Sequence, residues 1–457
     1  MLPRCRTAGE PFVIPAFDVQ VSDVEGFMDE LQEFQSVFHD CFARSEARAH
    51  CLDYMVGQYS PLARKSIEPI ALAVEGSSIR SLQRFLSETV WDEEQMRWNY
   101  HQLVADELGE PDGVLMFDEL GFGKKGKDSA GVARQYCGTL GKVENCQVGV
   151  FAGYASRQGY VLVDHRLFLP DVWFGPAYAT RRAKCQVPDE RRFQTKPQLA
   201  AAMLHSIRQE GILPFRYIVA DSVYGNSPDF LAAIDACVGA TALVAISSET
   251  RCWPQRPATQ EKAYRYKGEE RAKRHLSPTT SAPQSVAALA ATLPTWQWYR
   301  RKVSEGTKGP IEYDFARHRV TLCKDGLPDR TVWLVIKRTR GPEPTYAYAI
   351  SNAPVSTPFR TLVWLSGIRW AVEQCFEEGK TELGMAHYEV RKYTGWHHHM
   401  SLTMLAHFFL WHLKERLGEK SASADGVTAP PVIRSRVAPA CIYDCREPGL
   451  RGLGPTA

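Results

Sequence analysis

The sequence predicts an α/β fold: a mixed sheet with flanking helices, interrupted by a mainly β insertion and preceded by an N-terminal helical domain. Three observations carry this. Between Gly113 and Ile246, short apolar runs bounded by turn residues alternate with amphipathic stretches. Before that segment, apolar residues recur at three- and four-residue spacing, as a helix requires. After it come several strand-like runs with hairpin turns, and then helical periodicity returns.

Residues 1–20 read as a flexible N-terminus, and 21–110 as a helical domain. Asp23 to Phe38 and Ile79 to Val104 carry the helical spacing, punctuated by Ser60-Pro61 and Gly76-Ser77-Ser78. The stretch Ser78 to Leu86 opens on a capping serine and presents arginine on one face, which fits a DNA-binding helix-turn-helix. A solvated helix of an ordinary bundle fits the same residues.

Residues 111–250 form the first part of the expected catalytic domain. Gly113–Phe117, Cys146–Tyr154 and Tyr160–Phe168 read as three strands in meander. Pro197–Gly211 is an amphipathic helix with Leu199, Met203, Leu204 and Ile207 on one side. Phe215–Ala220 is a fourth strand, Pro228–Val238 a second helix and Thr241–Ile246 a fifth strand. This order is the ribonuclease-H-like arrangement, in which the first and fourth strands are neighbours.

Residues 251–350 read as the β-rich insertion. Arg251 to Leu276 is polar, with eight Lys/Arg against three acids. Ser277 to Pro294 reads as a Ser/Ala/Thr/Pro linker. Trp296–Val303, Arg317–Cys323, Thr331–Lys337 and Thr345–Ile350 read as strands, with Lys324-Asp325-Gly326 as one of the turns. Residues 351–417 return to helix as the second part of the catalytic domain, and 418–457 read as a disordered tail.

Bulk properties narrow the function classes. The net charge of +3 over 457 residues neither demands nor excludes nucleic acid. The twelve cysteines include no C-x-x-C pair, so neither a disulfide scaffold nor a zinc quartet is expected, and they read as buried apolar residues in a reducing compartment. No secretion signal and no apolar run of about 18 residues is present, so the expectation is a cytoplasmic protein with no membrane span.

Two apolar runs end on carboxylates: Val114-Leu115-Met116-Phe117-Asp118-Glu119 and Ile218-Val219-Ala220-Asp221-Ser222. Asp is common at strand ends, so each alone says little. In the inferred topology they sit side by side, where they repel unless cations neutralise them, and hard oxygen donors suit Mg2+ or Mn2+. A third carboxylate should come from a helix packed on the sheet. In Gly367–Lys380, Arg369, Glu373, Phe376 and Lys380 fall along one stripe, with Glu377 and Glu378 as competitors. Spacing alone leaves a solvated Arg–Glu pair as the simpler reading. The loop carrying Lys124, Lys125, Lys127 and Arg134 is expected to start beside Asp118 and hold a DNA backbone, unless it is merely solvated.

Here the motifs add information. DELGFGKKG from Asp118 to Gly126, followed by GVARQYCGTLGKVENCQ from Gly131 to Gln147, resembles insertion-sequence transposases of the DDE class, family 701. Arg369, Glu373 and Lys380 form an Arg-x3-Glu-x6-Lys pattern that resembles the signature of the related insertion sequence 4 group. The resemblance spans about Phe117 to Leu413. It implies a catalytic and metal-binding set of Asp118, Asp221 and Glu373 holding two Mg2+ ions, with Mn2+ able to substitute. Asp118 bridges, and Asp221 and Glu373 each complete one ion. It implies that Arg369 and Lys380 meet DNA phosphates, and that the partner is double-stranded DNA, both terminal inverted repeats and target. The reaction is cut-and-paste strand cleavage and transfer, with a homodimer in the synaptic complex and a bacterial, nucleoid-associated location. Two positions depart from the pattern. Leu120 stands where the family usually has Thr, and Ser366 where the related group has a Tyr that touches a phosphate, which puts that contact in doubt.

Other features read as decoys. Gly121, Gly123 and Gly126 spell G-x-G-x-x-G after a strand, and nearly a P-loop, but no helical stripe follows to aim an N-terminus at phosphate. His397, His398 and His399 are adjacent, cannot share a metal on one helix face, and read as surface or DNA-facing residues. Trp253, Trp296 and Trp298 lie among cations and fit either base stacking or a β core. The rival reading is a catalytically inactive or domesticated transposase-derived DNA-binding protein.

Overall fold

A computed structural model describes residues 26–424 except 268, 307 and 308. The expected N-terminal arm and most of the expected tail lie outside the described residues. The last helix runs on to Ala424, past the expected boundary at Leu417.

Among the described residues, five helices come first: α1 (Phe27–Ser36), α2 (Ser45–Tyr59), α3 (Ile67–Ala73), α4 (Ile79–Ser87) and α5 (Glu93–Leu108). The stretch Ile79 to Val104, which carries helical spacing, falls in two helices, because Asp92 caps a new start by accepting from the Gln95 N–H at 2.9 Å. Ser78 caps α4 through the Ser81 N–H, and the helix buries Leu82, Phe85 and Leu86 and leaves Arg80 and Arg84 exposed.

The sheet is mixed and large. Its strands are β1 (Val114–Gly123), β2 (Ala133–Cys137), β3 (Lys142–Ala155), β4 (Tyr160–Phe168), β5 (Tyr217–Ala220) and β6 (Thr241–Ile246). They continue through β7 (Arg251–Trp253), β10 (Gln284–Ser285), β11 (Tyr299–Gly306), β12 (Gly309–Lys324), β13 (Leu327–Arg338) and β14 (Tyr346–Ser351). The order is β10-β7-β12-β13-β14-β6-β5-β1-β3-β2, with β4 on β3 and β11 on β12. Among the described residues only β1–β5 and β5–β6 are parallel. The helices between them are α6 (Ala179–Lys184), α7 (Lys196–Glu210), α8 (Ser222–Gly225) and α9 (Pro228–Ala236). The α7 helix starts on a capping box, in which Thr195 and Gln198 satisfy each other's backbone N–H groups.

Three sequence expectations change here. First, β1 does not stop at Phe117. It pairs with β3 from Val114↔Ala155 to Gly123↔Cys146, so the Gly-rich stretch is strand. A side chain at Gly121 would meet the Cys137 sulfur at 2.6 Å, so glycine there serves close packing and not phosphate binding. Second, residues 251–350 do not stand apart from the sheet. β14 pairs antiparallel with β6, and β13 and β12 extend the same edge. Only β8 (Thr259–Tyr266) and β9 (Glu269–Leu276) form a separate hairpin. The Asp325-Gly326 turn between β12 and β13 has positive φ at both residues, as a tight hairpin needs. Third, the expected linker contains β10 and α10 (Val286–Ala291), which buries Val286, Leu289 and Ala290.

The chain ends in α11 (Phe359–Ile368), α12 (Trp370–Thr381) and α13 (Tyr393–Ala424). The α13 helix is wedged between the opening helices and β4, so one continuous apolar core joins all three. This overturns the surface expectation for His397, His398 and His399, which are all buried. His398 stacks on Trp91 at 3.6 Å and pairs with the Leu86 carbonyl at 2.9 Å. His399 lies between the Tyr54 hydroxyl (2.8 Å) and the Met385 carbonyl (3.1 Å). Between Trp396 and Phe409 this helix is covered on nearly every side and leaves no solvent face for them. The described cysteines are buried except the half-buried Cys323, and none is in a disulfide. Among the described residues no helix is long and apolar enough to cross a membrane.

Candidate active site

The β1 and β5 strands run parallel, and Phe117 is the partner of Ala220. β5 ends there while β1 continues. Asp118 and Asp221 therefore follow neighbouring residues of two parallel strands, one inside a strand and the other at a strand end.

Asp118 is 9% exposed. Its Oδ1 accepts from the Glu119 N–H at 2.8 Å, and its Oδ2 from Arg369 Nη1 at 3.0 Å. Burial pushes its carboxyl up to about 7; Arg369 and the Glu119 N–H offset only part of this, and the neighbouring Asp221 and Glu119 charges add to it. The carboxylate is under-compensated even with an arginine against it. Asp221 caps α8, its Oδ1 accepting from the Val223 N–H at 2.6 Å.

Arg369 sits at the junction of α11 and α12. Its Nη2 lies 3.0 Å from Glu373 Oε1, so one guanidinium links Asp118 to Glu373. The helix sorts the three candidate glutamates. Glu373 is exposed and tied to Arg369, whereas Glu377 is exposed with no contact to the cluster among the described residues. Glu378 is engaged elsewhere, with Tyr160 (3.2 Å), His407 (2.9 Å) and Lys414 (3.1 Å). Lys380 is half-buried and makes no hydrogen bond or ion pair among the described residues. Ser366, where the tyrosine would stand, is half-buried on α11.

The basic loop does not start beside Asp118. Lys124 is six residues further along the chain, just past β1, roughly 20 Å on. Its Nζ turns inward, 3.4 Å over the Tyr388 ring and 3.1 Å from the Tyr388 carbonyl. Burial pulls its ammonium down to about 8. Lys125, Lys127 and Arg134 are exposed. Of the tryptophans, Trp253 is buried, Trp298 lies 3.9 Å from the Arg338 guanidinium, and Trp296 is 71% exposed.

Two residues were overlooked in the sequence. Glu119 points to the other side of β1, where it meets Lys196 at 2.6 Å and the Tyr224 hydroxyl at 3.5 Å. It thereby ties β1 to α7 and to α8, the helix that Asp221 caps. The Asp118-Glu119 dipeptide was its only signal. Lys337 on β13 is held below its usual range by burial and by the neighbouring Arg369, against the pull of Glu373. It is brought in by the sheet edge that the sequence assigned to a separate region.

As donors, Asp118 and Asp221 fit a hard divalent cation: two carboxylates, one of them buried with its charge under-compensated. The arrangement is less complete. Among the described residues no three His, Cys, Asp or Glu side chains converge as a metal site.

A family model described as DDE superfamily endonuclease matches residues 37–310. The chain is 27% identical over 374 residues to a probable transposase for insertion sequence element IS701 of Microchaete diplosiphon, covering 80% of this chain and 82% of that one. It is also similar to a piggyBac transposase solved as a synaptic complex with hairpin DNA. That likeness has a TM-score of 0.34 and 10% identity over 97% of this chain and 80% of that one, too low to carry an argument. With the family match spanning more than half of its length, the chain belongs to the DDE superfamily endonucleases, as a transposase of the insertion sequence 701 type.

Proposed function

We propose that the chain cuts and joins DNA at the ends of an insertion sequence, with Asp118, Asp221 and Glu373 as its catalytic carboxylates on a ribonuclease-H-like sheet. The observation that carries the reading is the placement of Asp118 in β1 and of Asp221 just past the end of its parallel neighbour β5, with Asp118 buried and short of positive charge. An uncompensated buried carboxylate costs stability and persists where function needs it.

Asp118, Asp221 and Glu373 would together hold two Mg2+ ions. When bound, they supply Lewis acidity for attack at phosphorus and for departure of the leaving oxygen. The remaining work belongs to the chain. Glu119, Lys196 and Tyr224 hold the Asp221 helix against β1. Arg369 offers a planar fork suited to a phosphate, with Lys337 near it and Lys380 in the last turn of α12 as further cations. Exposed Lys125, Lys127 and Arg134 bind backbone phosphates farther from the cut. The helical region 27–108 is a second DNA-binding surface through Arg80 and Arg84. Joining two transposon ends calls for two copies of the chain.

The test is cleavage and strand transfer with the full chain, paired terminal inverted repeats and Mg2+. Activity is expected, and it is lost in Asp118→Ala, Asp221→Ala and Glu373→Ala. If Glu373→Ala stays active while Glu377→Ala does not, the third carboxylate is Glu377. An inactive wild-type chain that still binds the repeats would mark a domesticated DNA-binding protein.

A further inference from the structure

The catalytic reading needs Asp118 and Glu373 to turn their oxygens toward a shared divalent cation, and the described residues contain no such convergence of three donors. The contacts give the physical reason. One guanidinium already stands between the two carboxylates, with Nη1 at 3.0 Å from Asp118 and Nη2 at 3.0 Å from Glu373. Each carboxylate therefore spends an oxygen on Arg369. A dication bound to those oxygens would face the guanidinium at close range, and like charges at that distance repel. The two cations compete for one place.

Arg369 is built to leave. It sits where α11 ends and α12 begins, with ordinary helical backbone angles (φ −58°, ψ −25°), so its side chain can swing without backbone strain. The side chain is 37% exposed while that of Asp118 is 13%, so the way out leads to solvent. A phosphodiester is the acceptor that best matches a planar two-nitrogen fork. Glu373, 57% exposed, can follow with little desolvation, whereas Asp118 stays buried and needs another cation once the guanidinium has gone.

We infer that Arg369 is a stand-in cation that holds Asp118 and Glu373 until a DNA phosphate draws it off, so that loading of the divalent metal is coupled to DNA binding. The inference rests on the catalytic reading above and goes beyond it, because it assigns an order to the two binding events. Arg369 is a positioning residue here: its first role is to keep the site from filling in the absence of DNA. By linkage, whatever removes Arg369 from the carboxylates must tighten metal binding by the factor that Arg369 cost.

The test measures Mn2+ binding to the full-length, DNA-free chain, by titration with detection of free Mn2+ by electron paramagnetic resonance. Arg369→Gln is expected to bind Mn2+ about 10-fold more tightly than the wild type, within the usual range of such couplings. Arg369→Lys, which keeps the charge, should stay near the wild type. The gain should vanish in the double variant Arg369→Gln/Asp118→Asn. Thermal unfolding of each variant with and without Mn2+ checks that it is folded and reads the same gain as a metal-induced shift. Equal affinity in wild type and Arg369→Gln would overturn the proposal, and weaker binding in Arg369→Gln would show that Arg369 organises the site instead. Active wild type with no gain in Arg369→Gln sinks this inference alone. An inactive wild type whose Arg369→Gln variant gains Mn2+ sinks the catalytic reading and leaves the competition standing.

Discussion

Two charged clusters in this molecule begin from the same problem and solve it in opposite ways. One lies where β5 ends beside β1, and the other is a helix junction along β4, made of α12 with α13 and of α5 with α7. At the junction, Glu378 has His407 and Lys414 within 3.1 Å, and Glu210 has Arg97 at 3.0 Å and His101 at 2.7 Å. Burial works against both carboxylates, yet these partners outweigh it: Glu378 is held down to about 2, and Glu210 also lies below its usual range. At the strand ends, burial wins and Asp118 rises to about 7 although Arg369 touches it. The junction has cationic partners enough to serve as a structural joint. The strand-end cluster is left short of positive charge, as expected of a site that must accept more cations.

The sharpest break of this contrast comes from Asp118→Asn. Cleavage should fall by at least about 10³-fold, because a ligand of the catalytic centre is lost. The midpoint of thermal unfolding should hold or rise, because the amide removes a buried charge without changing the shape. A clear drop in the midpoint would mean that Asp118 is a structural ion-pair partner like Glu378, and the contrast would collapse.

Glu378→Gln tests the other cluster with a smaller effect. The chemistry should survive, while stability at pH 7 falls by about 3 kcal/mol, the scale of a carboxylate held from 4.5 down to about 2. The sign over pH follows from the depressed value. The wild-type advantage is fully present above about 4.5 and fades as pH falls toward 2. Urea unfolding of both chains at pH 7 and pH 3 should show the gap narrowing. A constant gap would mean that Glu378 acts through packing and not through its charge.

How much of this was readable beforehand follows from how local each signal is. Asp118 and Asp221 were legible together because each follows an apolar run, and the order of three meander strands, a helix and a fourth strand is one in which the first and fourth strands are neighbours. The length of β1 was not legible. Leu120-Gly121-Phe122-Gly123 looks like a turn, and only the long partner β3 makes it strand. The continuation of the sheet through β14 depends on register with β6, a hundred residues away, to which no local pattern points. His397 to His399 failed for the same reason. Their partners, Leu86, Tyr54 and Met385, come from separate elements, and a helix buried all round carries no stripe to announce it. Glu373 was separable from Glu378 only once Tyr160, His407 and Lys414 had claimed the latter.

The smallest effect separates adjacent lysines that the sequence treats alike. Lys124 belongs with the junction in kind, since its ammonium is spent on the Tyr388 ring and carbonyl. Lys125 and Lys127 are exposed and belong with the under-compensated site, as charge offered outward. If they meet DNA phosphates, each alanine substitution should lower the slope of log affinity against log salt by about 1. The loss at moderate salt should be only a few-fold, spread evenly over DNA sequences, because phosphate contacts carry no base information. Lys124→Met should leave that slope unchanged and be read in the unfolding midpoint instead, since it removes a satisfied, partly buried cation and its contact with Tyr388. A reduced slope in Lys124→Met would mean that its side chain swings out to DNA on binding, and the inward contact with Tyr388 would then be a resting position, as the contact of Arg369 with Asp118 is inferred to be.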